Sequence, residues 1–265
     1  MPELPDLVAM ERYVKSTALH QRVLSVDVGR TYVLHDLPPE RLVRALKGHR
    51  FEGVRRHGKN LLVETDGGPW LRLHFGMTGN LSYFKHHDEK PEHTRVLFSF
   101  ETGYHLAYVC QRMLGRVSLE DGPDEFVRKE DLGPDALGVG WADFRDIMEG
   151  RRGMLKSTLM NQSIIAGLGN VYADETLFQA HLHPETTIDQ LSPDRLEELY
   201  HAMRDVLNTA IQRGSDAREL PETYLVHRRG EGAPCPRCSS SIARVKINQR
   251  STYFCPRCQP SRETQ

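Results

Sequence analysis

Between about residues 22 and 119, apolar side chains recur at every second position in short runs. VLSVDV (23–28), NLLVET (60–65), WLRLHF (70–75) and HTRVLFSF (93–100) are the clearest. A period of two marks strands with one buried face. Gly, Asp, Asn or Pro separates the runs, and TDGGPW and ETGYH carry hairpin turn signals. One helical stretch, PPERLVRAL, interrupts them. The pattern predicts a β-sandwich or barrel.

On either side of this stretch the period becomes helical. Residues 5–19 place Leu7, Val8, Tyr13, Val14 and Leu19 at helix spacing behind an early acid, which predicts a helix. A link rich in Asp, Gly and Pro occupies about 120–140. Beyond it, WADFRDIMEG, GMLKSTLMNQ, NVYADETLFQA and SPDRLEELYHAMRDVLNTAIQRG all read as helices. Ser192 followed by Pro193 is a start signal for the last of them. The expected class is α+β, with boundaries at 1–125 (N-terminal β-sandwich and flanking helices), 140–225 (helical domain) and 226–260 (cysteine module). Two domains with a cleft are expected.

Charge alters this picture only locally. The formal net charge of the 265 residues is −1, which by itself points to no polyanionic partner. From His227 to Cys258, however, seven Arg or Lys face one acid, Glu231. RRHGK (55–59) and RRGMLK (151–156) are smaller basic clusters. Segregated basic patches on a neutral protein fit a polyanion-facing surface, and equally a solvated face. There is no apolar run of membrane-span length and no basic-then-apolar leader pattern. A cytoplasmic protein is expected.

Four of the five cysteines form two CPRC pairs, at 235–238 and 255–258, with sixteen residues between them. That spacing fits a tetrahedral four-cysteine site for one structural Zn²⁺, held by Cys235, Cys238, Cys255 and Cys258. So short a module cannot bury a core, and the metal would supply its folding energy. SIARVKINQRSTYF alternates like a hairpin, with Asn248 and Gln249 at the turn and Arg250 beside its tip. Such a hairpin serves either as a basic probe into a nucleic-acid groove or as a clip between helices. Gly167 and Gly169 open a helical run, a geometry that admits a phosphate to backbone N–H groups, although plain turn chemistry looks the same. Asn170 is placed to cap that helix.

Taken in order, PELP at the N-terminus, GKNLL, HFGMTG, LMNQ…GLGNVYADE and the four-cysteine finger resemble the formamidopyrimidine-DNA glycosylase and endonuclease VIII family. The resemblance spans essentially the whole chain. It implies a β-sandwich followed by a helix-two-turn-helix domain with a zinc finger. It also implies a bifunctional DNA glycosylase and AP lyase of base-excision repair. The implied partner is double-stranded DNA carrying a damaged base or an abasic site, bound by a monomer.

By the same resemblance, Pro2 is the nucleophile once Met1 is removed, and Glu3 is the acid that assists base loss. Lys59 and Arg250 complete the catalytic set, and Asn170 grips phosphate. His93, Arg112, Arg152 and Lys156 are further DNA contacts. Met77, Arg112 and Leu114 would fill the hole left by an extruded nucleotide. On residue type alone, Met77 reads as core, and Lys59 fits a solvated turn lysine as well as a site residue.

Departures from the family pattern sit in CQRMLGR, where Leu114 replaces the usual Phe and Cys110 and Gln111 break the motif. Asp6 stands where Glu is usual, and the 214–234 segment is short. Alternative readings are a non-catalytic damage-binding protein on the same scaffold, or a glycosylase for bulky, alkylated or cross-linked bases.

Overall fold

A computed structural model describes residues 1–261. The chain forms two compact units, one of Met1–Pro2 with Asp6–Asp131, the other of Glu3–Pro5 with Leu132 onward.

In the first unit, helix α1 (Leu4–Thr17, its first two residues belonging to the second unit) leads into strand β1 (Val23–Val28) and helix α2 (Pro39–Leu46). Strands β2 (Phe51–His57), β3 (Asn60–Thr65), β4 (Trp70–His74), β5 (Gly79–Phe84), β6 (Thr94–Phe100), β7 (His105–Cys110) and β8 (Arg116–Glu120) follow. They pair as two antiparallel sheets of order β1-β6-β7-β5 and β2-β3-β4-β8. The apolar faces predicted by the alternation meet in one core. Val26, Val96, Phe98 and Phe100 of one sheet cluster with Phe51, Val54, Leu61 and Leu71 of the other. Phe51 meets Phe98 edge-on at 5.8 Å between ring centroids. This is the predicted sandwich.

The link at 120–140 is not all loop. Pro123–Lys129 forms helix α3, begun by a proline at its first turn with Asp124 and Glu125 behind it. Acids at the start and Arg128 with Lys129 at the end complement the helix dipole. So short a helix has too few apolar positions to show a period. Its one buried residue, Phe126, lies under the Arg72 guanidinium at 4.5 Å.

In the second unit, helices α4 (Trp141–Met148), α5 (Leu155–Met160), α6 (Asn170–Gln179) and α7 (Pro193–Gln212) are followed by hairpin strands β9 (Ala243–Ile247) and β10 (Arg250–Phe254). On α7, Leu196, Leu199, Met203, Val206, Leu207 and Ala210 make the buried stripe of an amphipathic helix. Ser192 caps it, its hydroxyl accepting from the Arg195 amide. Helix α6 is buried nearly all round, from Tyr172 to Phe178, which explains its lack of amphipathic period. Phe178 packs with Leu225, Cys235, Ile242 and Cys255, so the cysteine module shares a core with α6. Among the described residues no helix is long and apolar enough to cross a membrane.

Candidate active site and nucleic-acid interface

Glu3 is only 2 % exposed. Its Oε2 accepts from the Gly169 amide at 2.9 Å and the Tyr172 amide at 3.2 Å, and its Oε1 from the Val171 amide at 2.9 Å. These are N–H groups that a helix start leaves without intrahelical partners, and the positive end of the α6 dipole adds to their pull on a carboxylate. The expectation that this glycine-bracketed turn receives a phosphate is therefore corrected. The side chain of Glu3 fills the anion seat. Gly169 makes the approach possible, since a Cβ there would lie 2.3 Å from Glu3 Cδ. Gly167, at φ +121°, carries out the same service for Leu4, whose Cδ1 would meet a Cβ at 2.4 Å.

Asn170 is not the cap of α6; Gly169 holds that position and Asn170 is the first helical residue. Its Nδ2 instead donates to the Ser251 carbonyl on β10 at 3.0 Å. Its Oδ1 is buried without a hydrogen-bond partner among the described residues.

Lys156 is also not where the sequence put it. The side chain is fully buried and paired with Asp174, while its Nζ donates to the Asn170 carbonyl at 2.8 Å. A lysine so enclosed cannot reach a phosphate. Burial holds its ammonium below the ordinary lysine value, and Asp174 opposes that effect. Asp174 also accepts Arg229 Nη2 at 2.7 Å and the Tyr253 amide at 3.3 Å. Asp174 and Arg229 received no role from the sequence. Asp174 lies one turn past Asn170, but nothing in the chain order pairs it with Lys156, eighteen residues earlier.

The four cysteine Sγ atoms lie within 4.8 Å of one another. Cys235–Cys258 is 3.8 Å, and Cys238–Cys255 and Cys258–Cys238 are each 3.5 Å. Tetrahedral zinc with bonds of about 2.3 Å sets thiolates roughly 3.8 Å apart, so the donor set fits Zn²⁺. Beyond it, β9 and β10 pair with Arg250 opposite Ile247. Asn248 and Gln249 carry φ of 46° and 61°, the two left-handed residues of a primed hairpin turn. Arg250 is exposed at this tip, and Arg152 is exposed ahead of α5.

In the first unit, Pro2 is half-buried and Lys59 is the second turn residue of the β2–β3 hairpin. Asn60, next to Lys59, pairs with His74 across β3–β4. Burial pushes the His74 imidazole down to about 4, with Arg72, Arg116 and Lys59 adding to the fall. The HFGMTG motif contained His74, but only the sheet register shows that it neighbours the lysine turn.

The loops that carry Met77, Arg112 and Leu114 are brought together. The β4–β5 loop touches the β7–β8 loop so closely that a Cβ on Gly76 would fall 2.5 Å from the Leu114 carbonyl carbon. The Arg112 amide donates to Thr78 Oγ1 at 3.1 Å. Arg95, unremarked in the sequence, braces this loop from β6, its Nε donating to the Cys110 carbonyl at 2.8 Å. The His93 carbonyl accepts the Cys110 amide at 3.1 Å. Cys110 is buried, a small packing residue. Leu114 is 49 % exposed, an apolar side chain left in the open.

Comparison with known proteins gives a consistent answer. Residues 1–117 match the formamidopyrimidine-DNA glycosylase N-terminal domain, 132–221 the formamidopyrimidine-DNA glycosylase H2TH domain, and 232–260 the zinc finger found in FPG and IleRS. The chain is 36% identical to a formamidopyrimidine-DNA glycosylase of Heliobacterium modesticaldum, covering 98% of this chain and 100% of the relative. It is 34% identical to one of Synechocystis, covering 99% and 100%. The fold superposes with a TM-score of 0.87 on the Lactococcus lactis enzyme bound to DNA containing an AP site, at 26% identity over 98% of this chain and 100% of that one. A complex of the same bacterium's enzyme with N7-benzyl-Fapy-dG DNA gives a TM-score of 0.86, at 26% identity and the same coverage.

Proposed function

Because the chain belongs to the formamidopyrimidine-DNA glycosylase family, we propose that it removes damaged bases from DNA and then cuts the strand, with the Pro2 amine as nucleophile. The observation that carries this reading is the seat of Glu3. A carboxylate buried on three backbone amides stands directly after the proposed nucleophile in the chain.

The chemistry follows from the amine. An α-amine titrates near 8, about two units below lysine, so a useful fraction is neutral at cellular pH. Its lone pair attacks C1′ of the deoxyribose. The C1′–N bond to the base breaks; the base leaves with the electron pair and takes up a proton, while the new C1′–ammonium gives up the proton that the amine carried. Opening of the C1′–O4′ bond, with a proton delivered to O4′, leaves an iminium at C1′. Glu3 is the group assigned to that proton transfer. The iminium acidifies C2′; loss of its proton expels the 3′-phosphate and cuts the strand. A second elimination at the 5′ side releases the sugar. Hydrolysis of the iminium then frees the amine.

The remaining residues hold the substrate in this scheme. Lys59, Arg250 and Asn170 bind phosphates, and Arg152 and His93 are further DNA contacts. Met77, Arg112 and Leu114 enter the duplex where the nucleotide leaves it. Zn²⁺, held by Cys235, Cys238, Cys255 and Cys258, supplies folding energy to the hairpin that carries Arg250.

Borohydride reduction on duplex DNA with an abasic site tests the proposal. The processed chain should give a covalent protein–DNA band, and a chain retaining Met1, whose Pro2 nitrogen is an amide, should give none. Tight binding without any trapped band would favour a non-catalytic damage-binding role. Oxidised purines, oxidised pyrimidines and alkylated bases, bulky adducts included, would then rank the substrates.

A further inference from the structure

The zinc site fixes the wrong end of the hairpin for its proposed task. Cys255 follows the last residue of β10, whereas Arg250 is the first, about 17 Å from that cysteine at strand rise. The far half of β10 is held on α6, where Asp174 accepts the Tyr253 amide at 3.3 Å, but a two-stranded hairpin bends and twists readily beyond its last restraint.

Two side-chain hydrogen bonds tie that tip down within the second unit. Asn170 Nδ2 holds the Ser251 carbonyl at 3.0 Å, and Asn248 Nδ2 donates to Ser157 Oγ on α5 at 3.0 Å. One tether lets a strand pivot; a second at the turn sets its direction. The turn and α5 together border a recess of about 350 Å³ that includes Thr158, Asn161, Ile164 and Arg250. Asn248 suits this double duty. It takes the left-handed conformation the turn requires, at φ 46°, and still carries an amide to extend toward α5.

We propose that the Asn248–Ser157 hydrogen bond is a latch that aims Arg250 at DNA phosphate, making both positioning residues for strand recognition. The inference rests on the proposed function only in taking Arg250 as a phosphate contact.

Asn248→Gly removes the amide while glycine accepts the same turn conformation, and Ser157→Ala, which leaves the turn backbone unchanged, controls for glycine's added freedom. Binding to a duplex with a tetrahydrofuran abasic analogue should weaken roughly three- to tenfold, the range of a single hydrogen bond. Zinc content and thermal midpoint should not change. The dependence of binding on salt should flatten toward that of Arg250→Ala. Ser157→Ala should match Asn248→Gly, and the double variant should be no weaker than either. In an Arg250→Ala background, Asn248→Gly should add nothing.

Full affinity in Asn248→Gly, or an equal loss with and without Arg250, would overturn the latch. So would an Arg250→Ala protein that binds like the parent. A parent protein that binds the analogue but never traps an abasic site would count against the enzymatic reading alone and leave this test intact.

Discussion

The carboxylate of Glu3 rests on the backbone amide of Gly169, 2.9 Å away, across 166 residues of chain. The contact leaves no room for a methyl group, since a Cβ at Gly169 would fall 2.3 Å from Glu3 Cδ. Gly169→Ala is expected to displace Glu3 from its seat. Trapping and strand cleavage should fall by at least tenfold while the zinc content stays at one per chain. A Gly169→Ala protein with parental cleavage rates would show that the seat does not matter.

The Lys156–Asp174 pair is expected to matter to stability rather than to surface charge. Both side chains are fully buried. Removing Asp174 strands the Lys156 ammonium, at a cost of about 3–5 kcal/mol, whereas removing Lys156 leaves Asp174 with Arg229 and the Tyr253 amide. Asp174→Leu should lose stability on that scale in denaturant melts, Lys156→Met should lose less, and the double variant should lose less than the sum. A loss in DNA affinity alone, with melts unchanged, would return Lys156 to the role of a phosphate contact.

Metal removal should unfold the hairpin before anything else. The four thiols sit at zinc spacing, and among the described residues their module shares a core with α6 and the segment around Leu225. Chelation, or Cys255→Ser, is expected to abolish binding to abasic DNA and to expose the 226–260 region to protease, with the sandwich resisting. Re-addition of Zn²⁺ should restore binding in the chelated protein and not in the variant.

His74 predicts the acid side of the stability profile. Its folded value, about 4, lies below the unfolded value near 6.5. The unfolded chain therefore binds a proton in this window that the folded chain refuses. Stability contributed by neutral His74 is complete above about 6.5 and is lost as pH falls toward 4, at up to about 1.4 kcal/mol per pH unit. Urea midpoints measured from pH 7 to 4 should fall less steeply in His74→Gln.

Leu114 should be tunable without harm to the fold. At 49 % exposure it contributes little to packing, so Leu114→Ala should change stability by no more than about 0.5 kcal/mol. Binding to damaged duplex should weaken, and Leu114→Phe should restore or strengthen it through stacking. Equal affinity in all three would remove Leu114 from the duplex-filling set.

Most features that rest on local order are legible in the chain, although α3 is too short to show a period and Asn170 is the first residue of α6 rather than its cap. Period-two runs became the strands of the sandwich, and Ser192-Pro193 opened α7. The paired CPRC motifs became a cluster at zinc spacing, and Asn248-Gln249 became the hairpin turn. These signals are legible because strand alternation, helix caps, turn conformations and chelate spacing depend on residues a few positions apart.

What the polar groups face is settled by long-range folding. A glycine turn before a helix attracts any anion, and folding delivered Glu3 to it from the other end of the chain. A lysine in a basic cluster looks like surface until Asp174 arrives on the neighbouring helix and makes its burial tolerable. The partners of Asn170 and Asn248 lie 81 and 91 residues away, and a pattern of period two or 3.6 carries no information at that range. Charge and hydrogen-bonding capacity are written in the residue types, but which of them are satisfied internally and which remain for DNA is fixed only when the chain closes on itself.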